Sequence, residues 1–291
     1  MRFAWIQDLD FVSNPYSGGA QASDWSHYQY GLKKGHEQIL ITPQNWQNAQ
    51  VQGDDTLILS NIRAFGPERF LDKPNQMIMF HHDYWCRYRL FYPRQEKCIK
   101  SCAYKEPWEK LFKKAKLNIF LSPLHYKMHK EVFGDAIEPH ALVPSPVDPD
   151  RFCDMKKERK KDVITVNTTL PFKGRDNMIQ WAKDNPDRKI TVVGWVKPDV
   201  PLPSNCEYIG AVPNDKMPEL YNEYKFYLER ASTPQPFNRT ICEAYLSGCS
   251  LITNSLLGFV SWGWKSRDEV RKKVGRNASK RFWRAIEKVI E

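Results

Sequence analysis

The chain has 291 residues, of which 41% are hydrophobic and 13% aromatic, and it carries a net charge of +10. This length is enough for two α/β domains of about 140 residues, each with a core of its own. No apolar run approaches the roughly 18 residues of a membrane-spanning helix, and the seven cysteines lack the spacing of a disulfide framework. These features argue against a disulfide-rich secreted module, so we expect a cytoplasmic, reduced and soluble protein.

The positive charge is concentrated in two segments. Residues 86–116 contain ten Lys or Arg against three Glu, and residues 265–291 contain ten Lys or Arg against four acids. Such segments are either solvated helix faces or the contact surface for an anionic partner. A glycan, a lipid-linked molecule at a membrane surface and a nucleic acid are all consistent with the charge, and peripheral contact with a membrane remains open.

The N-terminal half is predicted to alternate strands and helices. Residues 2–7 form the first strand, and a helix is expected over about residues 21–34. Between them, Gly18 and Gly19 would allow the backbone to approach a ligand closely. The pair therefore marks a candidate ligand loop after the first strand.

A second candidate site follows the strand predicted at residues 76–80, which ends in His81, His82 and Asp83. The carboxyl ends of strands are where an open parallel sheet places its ligands. Zinc is an alternative explanation for these histidines, with Cys86, Cys98 and Cys102 as further ligands. The cysteine spacing is not that of a standard zinc finger, and free or buried thiols are favoured over metal.

Residues 106–116 are predicted to form an amphipathic helix with lysines on its outer side. Residues 142–152 contain several prolines and are expected to be irregular, and the charged run 155–161 is interpreted as an exposed connection. A second α/β domain then begins with a strand at residues 163–166, after which Lys173 precedes a glycine near a predicted helix start. A lysine in this position is suited to a phosphate group.

The most informative stretch is residues 226–261. It predicts a strand, a proline-bearing loop, a helix that begins near Asn238 or Arg239 and ends at Gly248, and then a short strand. Helix N-termini at the carboxyl edge of a parallel sheet bind anions. Residues 235–239 should therefore line a site for an anionic ligand, with Glu243 one turn into the helix.

This stretch resembles the donor-binding motif of the retaining GT-B glycosyltransferases of family 4. The family pattern is a Glu, seven residues and then Glu-Ala, and here Glu243 and Ala244 match the second half while Gln235 replaces the first Glu. Phe237 also matches, whereas Asn238 stands where the family usually has Gly. The similarity extends to the Pro-x-x-Val-Asp-x-x-x-Phe segment, matched by Pro144, Val147, Asp148 and Phe152.

A third part of the pattern lies at the start of the second domain. In the family, an Arg and, six residues later, a Lys before Gly hold the donor diphosphate. Lys173 and Gly174 match the second element, but the Arg position holds Asn167. The missing charge could come from Arg175 or Arg239.

The resemblance implies an α/β fold of two Rossmann-like domains facing a cleft, the GT-B architecture. It implies transfer of a sugar from a UDP- or GDP-linked donor to an acceptor hydroxyl with retention and without a metal or other cofactor. By this resemblance the catalytic residues would be His82, Lys173 and Gln235, and the donor would contact Gly18, Gly19, Lys173, Gly174, Phe237, Asn238, Arg239 and Glu243.

The expected domains are residues 1–145 on the acceptor side and residues 146–277 for the nucleotide sugar. A terminal helix over residues 278–291 is expected to cross back to the first domain. Because Gln235 and Asn167 each replace a charged residue of the pattern, two alternatives stay open. One is a non-catalytic nucleotide-binding module of the same fold, and the other is a glycosyltransferase that acts on modified DNA bases.

Overall fold

The computed structural model describes residues 1–15, 18–86, 92–93, 96–166 and 169–290. Asn167, which the sequence places at the position of the family Arg, lies outside the described residues. The strands are β1 (Arg2–Ile6), β2 (Glu37–Ile41), β3 (Thr56–Leu59), β4 (Met77–His81), β5 (Leu117–Phe120), β6 (His140–Leu142), β7 (Lys161–Val166), β8 (Ile190–Val193), β9 (Cys206–Gly210), β10 (Tyr224–Leu228) and β11 (Ser250–Ile252).

The described residues also form ten α-helices and four short 3-10 helices. The α-helices are α1 (Gly19–Lys33), α2 (Glu96–Ser101), α3 (Lys105–Lys114), α4 (Pro123–Phe133), α5 (Arg175–Asp184), α6 (Met217–Asn222), α7 (Arg239–Leu246), α8 (Gly258–Ser261), α9 (Arg267–Lys273) and α10 (Arg276–Ile290). The 3-10 helices are Pro67–Phe70, Gly134–Ile137, Pro171–Lys173 and Asn214–Lys216. Within the described ranges, none of these helices combines the length and apolar character needed to cross a bilayer.

The chain divides into two compact units, and the first contains Met1–Pro146 together with the chain from Gly275 onward. Its six strands form a parallel sheet in the order β2-β1-β3-β4-β5-β6. The inner strands β3, β4 and β5 are fully buried and largely apolar, as expected for a parallel sheet covered on both faces, whereas the edge strands β2 and β6 are partly exposed.

The helix α10 packs against α1 and contributes large side chains to the core of the first unit. Phe282 stacks on Trp5 with ring centroids 5.8 Å apart and on His27 at 4.2 Å. The indole Nε1 of Trp283 donates to the backbone oxygen of His27 at 2.8 Å. This buried contact joins the last helix of the chain to its first helix.

The second unit, Val147–Val274, contains a five-stranded parallel sheet in the order β11-β10-β7-β8-β9. Each neighbouring pair in this sheet is parallel. A parallel connection requires a crossover, and α5, α6 and α7 supply it after β7, β9 and β10, whereas β8 and β9 are joined by a loop. Two such Rossmann-like α/β units define the GT-B fold, so the fold class expected from the sequence is confirmed.

Several helix boundaries differ from the sequence-based expectation. The first helix begins at Gly19 and not near residue 21, so Gly19 is its first residue and Gly18 is its N-cap. The helix α3 ends at Lys114, two residues early, because Ala115 adopts an extended conformation ahead of β5. The last helix starts at Arg276, directly after Gly275 with its positive φ of 61°.

Candidate functional site

The candidate site of the second unit lies at the carboxyl edge of its sheet. The Nζ atom of Lys173 donates to Oε1 of Gln235 at 3.0 Å. Lys173 ends the 3-10 helix that follows β7, whereas Gln235 lies in the loop that follows β10, the neighbouring strand. Two segments far apart in sequence are brought together because the carboxyl ends of parallel strands meet at one edge.

Gln235 is held in place by its backbone and its side chain. Its N–H donates to Leu256 at 2.8 Å, and its carbonyl accepts from Gly258 at 2.9 Å. The side-chain amide donates to the backbone oxygen of Thr233 at 3.0 Å, and the residue is only 1% exposed. These hydrogen bonds therefore fix the position of the amide oxygen next to the Nζ atom of Lys173.

Gly174 follows Lys173 and serves as the N-cap of α5, with φ at 102°. A Cβ atom at this position would lie 2.1 Å from the backbone oxygen of Arg230. Both the left-handed conformation and the close approach of two backbones require glycine here. The glycine thus allows the Lys173 segment to lie against the loop after β10.

The helix α7 begins beside these residues. Asn238 is its N-cap, and Oδ1 of Asn238 accepts from the N–H of Ile241 at 3.3 Å. Asn238 has φ at +75°, a conformation that glycine adopts without cost. This geometry gives a physical reason for the glycine that the family pattern has at the position.

Arg239 and Glu243 lie one turn apart on α7, with 3.6 Å between Nε and Oε1. Burial raises the pKa of Glu243, while the charges of Arg239 and Arg151 oppose that shift. Phe237 is buried and packs edge-on against Phe259, with ring centroids 5.7 Å apart. Its ring therefore supports the loop, and its carbonyl oxygen also accepts from the N–H of Phe259 at 2.7 Å.

Glu229 is a residue of this site that the sequence analysis missed. It follows β10 directly, is 1% exposed, and one of its carboxyl oxygens lies 2.9 Å from the hydroxyl oxygen of Tyr227. The side-chain amide of Asn238 donates to its other oxygen. The only signal in the sequence was a charged residue directly after an apolar strand. Charged residues are rarely fully buried, so this signal did not indicate that Glu229 lies inside the protein.

In the first unit, the Nε2 atom of His82 lies 2.7 Å from Oδ1 of Asp24 on α1. The other oxygen of Asp24 accepts from Gln7 at 2.9 Å and from Ser60 at 2.6 Å. Both side chains of the His82–Asp24 pair are nearly or fully buried. Asp24 therefore orients the imidazole of His82, and it too was missed in the sequence.

His81 has a different role from its neighbour. Its Nε2 atom lies 3.1 Å from Asn118, and its ring stacks on Phe120 in a fully buried cluster that includes His125 and His129. Burial lowers the pKa of His81 to about 4. Among the described residues, no group of three or more His, Cys, Asp or Glu side chains is placed to hold a metal ion. All seven cysteines have free thiols.

Gly18 and Gly19 lie at the N-terminus of α1, in the same unit as His82. Gly18 has an extended backbone that any residue can adopt, with φ at −169°. The structure thus gathers the predicted residues into two groups, one in each unit. Gly18, Gly19 and His82 belong to the first, and Lys173, Gly174, Gln235, Phe237, Asn238, Arg239 and Glu243 belong to the second.

Comparison with solved structures supports the fold. The protein HepE of Anabaena, determined in complex with UDP and glucose, aligns over 100% of this chain and 96% of its own with a TM-score of 0.66 and 13% identity. A sucrose-phosphate synthase of Thermosynechococcus elongatus aligns over 100% and 95% with a TM-score of 0.70 and 10% identity. A glycosyltransferase of Rickettsia africae aligns over 99% and 98% with a TM-score of 0.66 and 13% identity.

Comparisons at the level of sequence give no match. No protein-family model matches the chain, and no curated protein matches it either. The structures cited here have two-domain glycosyltransferase folds, and the chain has that fold.

Proposed function

We propose that this protein is a glycosyltransferase that moves a sugar from a nucleotide-diphosphate donor to an acceptor hydroxyl. The observation that carries the proposal is the contact of Lys173 with Gln235 beside the N-terminus of α7. An ammonium group and a helix N-terminus at one edge of a sheet form a natural environment for a diphosphate. HepE, which shares the fold, binds UDP-glucose as well as UDP.

In the proposed mechanism, negative charge develops on the diphosphate as the bond to the sugar breaks. Lys173 and the N–H groups at the start of α7 would stabilise that charge, which is the main work that a nucleotide leaving group requires. Glu243 would accept hydrogen bonds from the ribose hydroxyls, and Arg239 would balance its buried charge. His82, oriented by Asp24, would contact the donor sugar.

The finer features of the reaction rest on the family resemblance. We propose retention of configuration, a UDP- or GDP-linked donor, and a mechanism that uses no metal. In the family the first Glu of the donor motif lies at the position of Gln235. Here the neutral amide oxygen of Gln235 accepts from Lys173, so this contact does not neutralise the charge of the lysine as a carboxylate would.

Thermal unfolding in the presence of nucleotides tests the donor site. A ligand at 100 times its dissociation constant should stabilise the protein by about 2.7 kcal/mol. UDP, GDP, ADP, CMP and their common sugar conjugates would be compared. A higher unfolding temperature with one nucleotide, together with release of that nucleotide from its sugar conjugate when acceptors are added, would support the proposal of an enzyme. Binding without turnover would favour the non-catalytic module, and no shift with any nucleotide would contradict the proposed site.

A basic ridge on α10 favours an anionic acceptor or surface. Four cationic residues recur at every fourth position of the helix and are all exposed: Arg276, Lys280, Arg284 and Lys288. With a rise of about 1.5 Å per residue, the ridge extends over roughly 18 Å. We therefore propose that the acceptor is anionic or lies on an anionic surface, which a cytoplasmic protein could meet at a membrane.

The acceptor class can be separated by salt dependence. Binding to vesicles of anionic lipid and to duplex DNA would each be measured across a salt series, because exposed charges are screened at high ionic strength. The double variant Arg284→Gln with Lys280→Gln should weaken binding to the true partner and flatten its salt dependence. The control is Lys183→Gln on α5, which removes an exposed lysine of the second unit. Equal binding by both variants would show that the ridge is not the surface that binds the partner.

A further inference from the structure

Four side chains beneath the N-terminus of α7 form a closed ring of hydrogen bonds. Glu229 contacts the hydroxyl of Tyr227 at 2.9 Å, and that hydroxyl contacts Oγ1 of Thr240 at 2.8 Å. Oγ1 of Thr240 lies 2.7 Å from Oδ1 of Asn238, and Nδ2 of Asn238 donates to Glu229. Each member therefore touches the next, from the end of β10 to the first turn of α7.

The protons of this ring can be counted. Oδ1 of Asn238 accepts from the backbone N–H of Ile241, which sets the orientation of the amide and makes this oxygen an acceptor only. The proton in the contact with Asn238 must then come from Thr240. The proton between Tyr227 and Thr240 must come from Tyr227, because Thr240 has only one.

One contact is then left, between Glu229 and Tyr227, and its proton must come from Glu229. If Glu229 were ionised, two hydroxyl protons would have to serve three oxygen–oxygen contacts of 2.7 to 2.9 Å. One pair of oxygens would face each other without a proton, which is repulsive at this distance. The ring is complete only with Glu229 as a neutral acid.

The surroundings of Glu229 favour the same state. Burial raises the pKa of Glu229 to about 7, although the positive charge of Lys173, and the hydrogen bonds that Tyr227, Asn238 and Thr240 could donate to an ionised carboxylate, act in the opposite direction. Tyr221 on α6 is a further titratable group that interacts with Glu229. On α7 the nearby charges are Arg239 and Glu243, which face each other at 3.6 Å.

We propose that Glu229 is a positioning residue whose proton closes this ring and holds Asn238, and with it the N-terminus of α7, in the form that binds an anion. When the proton is lost, one contact of the ring becomes repulsive and the new carboxylate competes with the ligand for the charge of Lys173. Anion binding and the protonation of Glu229 therefore strengthen each other. For the donor diphosphate, this inference rests on the function proposed above.

Glu229→Gln is the variant that tests the idea most directly. The glutamine oxygen can accept from Asn238 while its amide donates to Tyr227, so the variant mimics the neutral acid and cannot ionise. Tyr227→Phe removes one member and leaves the ring open at every pH. Tyr221→Phe is the matched control, since it removes a buried hydroxyl of a neighbouring tyrosine that is outside the ring.

Binding of UDP would be measured from pH 5.5 to 9. The affinity of the wild type would be divided by that of Glu229→Gln at each pH, which removes the effect of titration of the nucleotide itself. This ratio should fall above pH 7 by up to about tenfold per pH unit, because one proton is linked to binding. Tyr227→Phe should bind UDP weakly at every pH, and Tyr221→Phe should follow the wild type. A ratio independent of pH would overturn the proposal.

Two measurements on the ligand-free protein separate this proposal from the assignment of the donor. The infrared band of a buried carboxylic acid should be present at pH 6, vanish as the pH rises through about 7, and be absent from Glu229→Gln. Over the same range the wild type should lose stability relative to Glu229→Gln, because the pKa of the folded state lies above that of the unfolded state. If no nucleotide binds, the donor assignment fails, and these two results still decide the state of Glu229. A missing acid band and a constant difference in stability would overturn it.

Discussion

At the scale of single residues, the candidate site depends on side chains whose neighbours are distant in sequence. Lys173 and Gln235 were predicted from a motif, but the bond between them follows from the adjacency of β7 and β10. The motif could not reveal Asp24 or Glu229, because each acts through a partner on another segment. A buried carboxylate is recognisable only when its surroundings are known.

Lys173 and Glu243 should differ in the step that they affect. Lys173→Ala removes a charge that acts on the leaving group, so kcat should fall by about 10² or more while nucleotide binding changes less. Glu243→Ala should mainly weaken nucleotide binding, because it removes acceptors for the ribose. Steady-state kinetics and calorimetric titration with UDP or GDP would measure both, with Lys183→Ala as the control. Near-zero effects of both changes would contradict the site.

Gly174→Ala tests the close approach of two backbones. The new Cβ would lie 2.1 Å from the oxygen of Arg230, and φ at 102° is strained for alanine. We expect a loss of at least about 1 to 3 kcal/mol in the free energy of unfolding. Urea unfolding measures it, and Gly53→Ala is the control because a Cβ at Gly53 meets nothing within 4 Å. Equal stability of the two variants would contradict the prediction, because it would mean that the loop around Arg230 moves away from the new Cβ without cost.

At the scale of elements, the helix α7 depends on its first residue. Asn238 combines a left-handed backbone with a side chain that caps the helix and contacts Glu229. The sequence placed the start of this helix correctly, within one residue, from the asparagine and the proline-bearing loop. It could not show the left-handed conformation, which the surrounding contacts impose.

Two substitutions at Asn238 separate the cap from the backbone strain. Asn238→Gly adopts positive φ easily, so loss of the cap should cost only a few tenths of a kcal/mol, and loss of the bond to Glu229 should cost about 1 kcal/mol more. Asn238→Ala loses the same bonds and also pays for the left-handed conformation, which adds about 1 to 2 kcal/mol. Chemical denaturation would compare them. An alanine variant as stable as the glycine variant would contradict the strained backbone.

At the scale of the whole molecule, each unit contains titratable groups that are buried in its core. In the first unit, burial lowers the pKa of His81 to about 4 and lowers that of His125 and His129 well below the usual value. These histidines stay neutral in the folded state while the unfolded chain takes up protons below its pKa of about 6.5. Their contribution to stability is complete above that pH and is lost as the pH falls.

The first unit should therefore become less stable between pH 6.5 and 4. Each histidine contributes a slope of up to about 1.4 kcal/mol per pH unit, and Glu229 of the second unit changes stability in the opposite direction. Urea unfolding at several pH values, compared between the wild type and His129→Leu, isolates one proton. In the variant, the free energy of unfolding should depend less steeply on pH, by the amount that corresponds to about one proton. Equal pH dependence in the two proteins would contradict the buried neutral state of His129.

The sequence by itself determined the alternation of strands and helices, the two α/β units and most helix starts, because those features follow from hydrophobic periodicity, prolines, glycines and capping residues along the chain. It also supplied the motif residues from Lys173 to Glu243. Only the tertiary structure decided that Gln235 accepts from Lys173, that Asp24 orients His82 and that Glu229 closes a ring with Asn238. The contacts of Gln235 with Lys173 and of Asp24 with His82 join segments that the order of strands in each sheet brings together, and strand order depends on packing of the whole chain. The ring of Glu229 forms between the end of β10 and the first turn of α7, and it depends on how the loop between them folds.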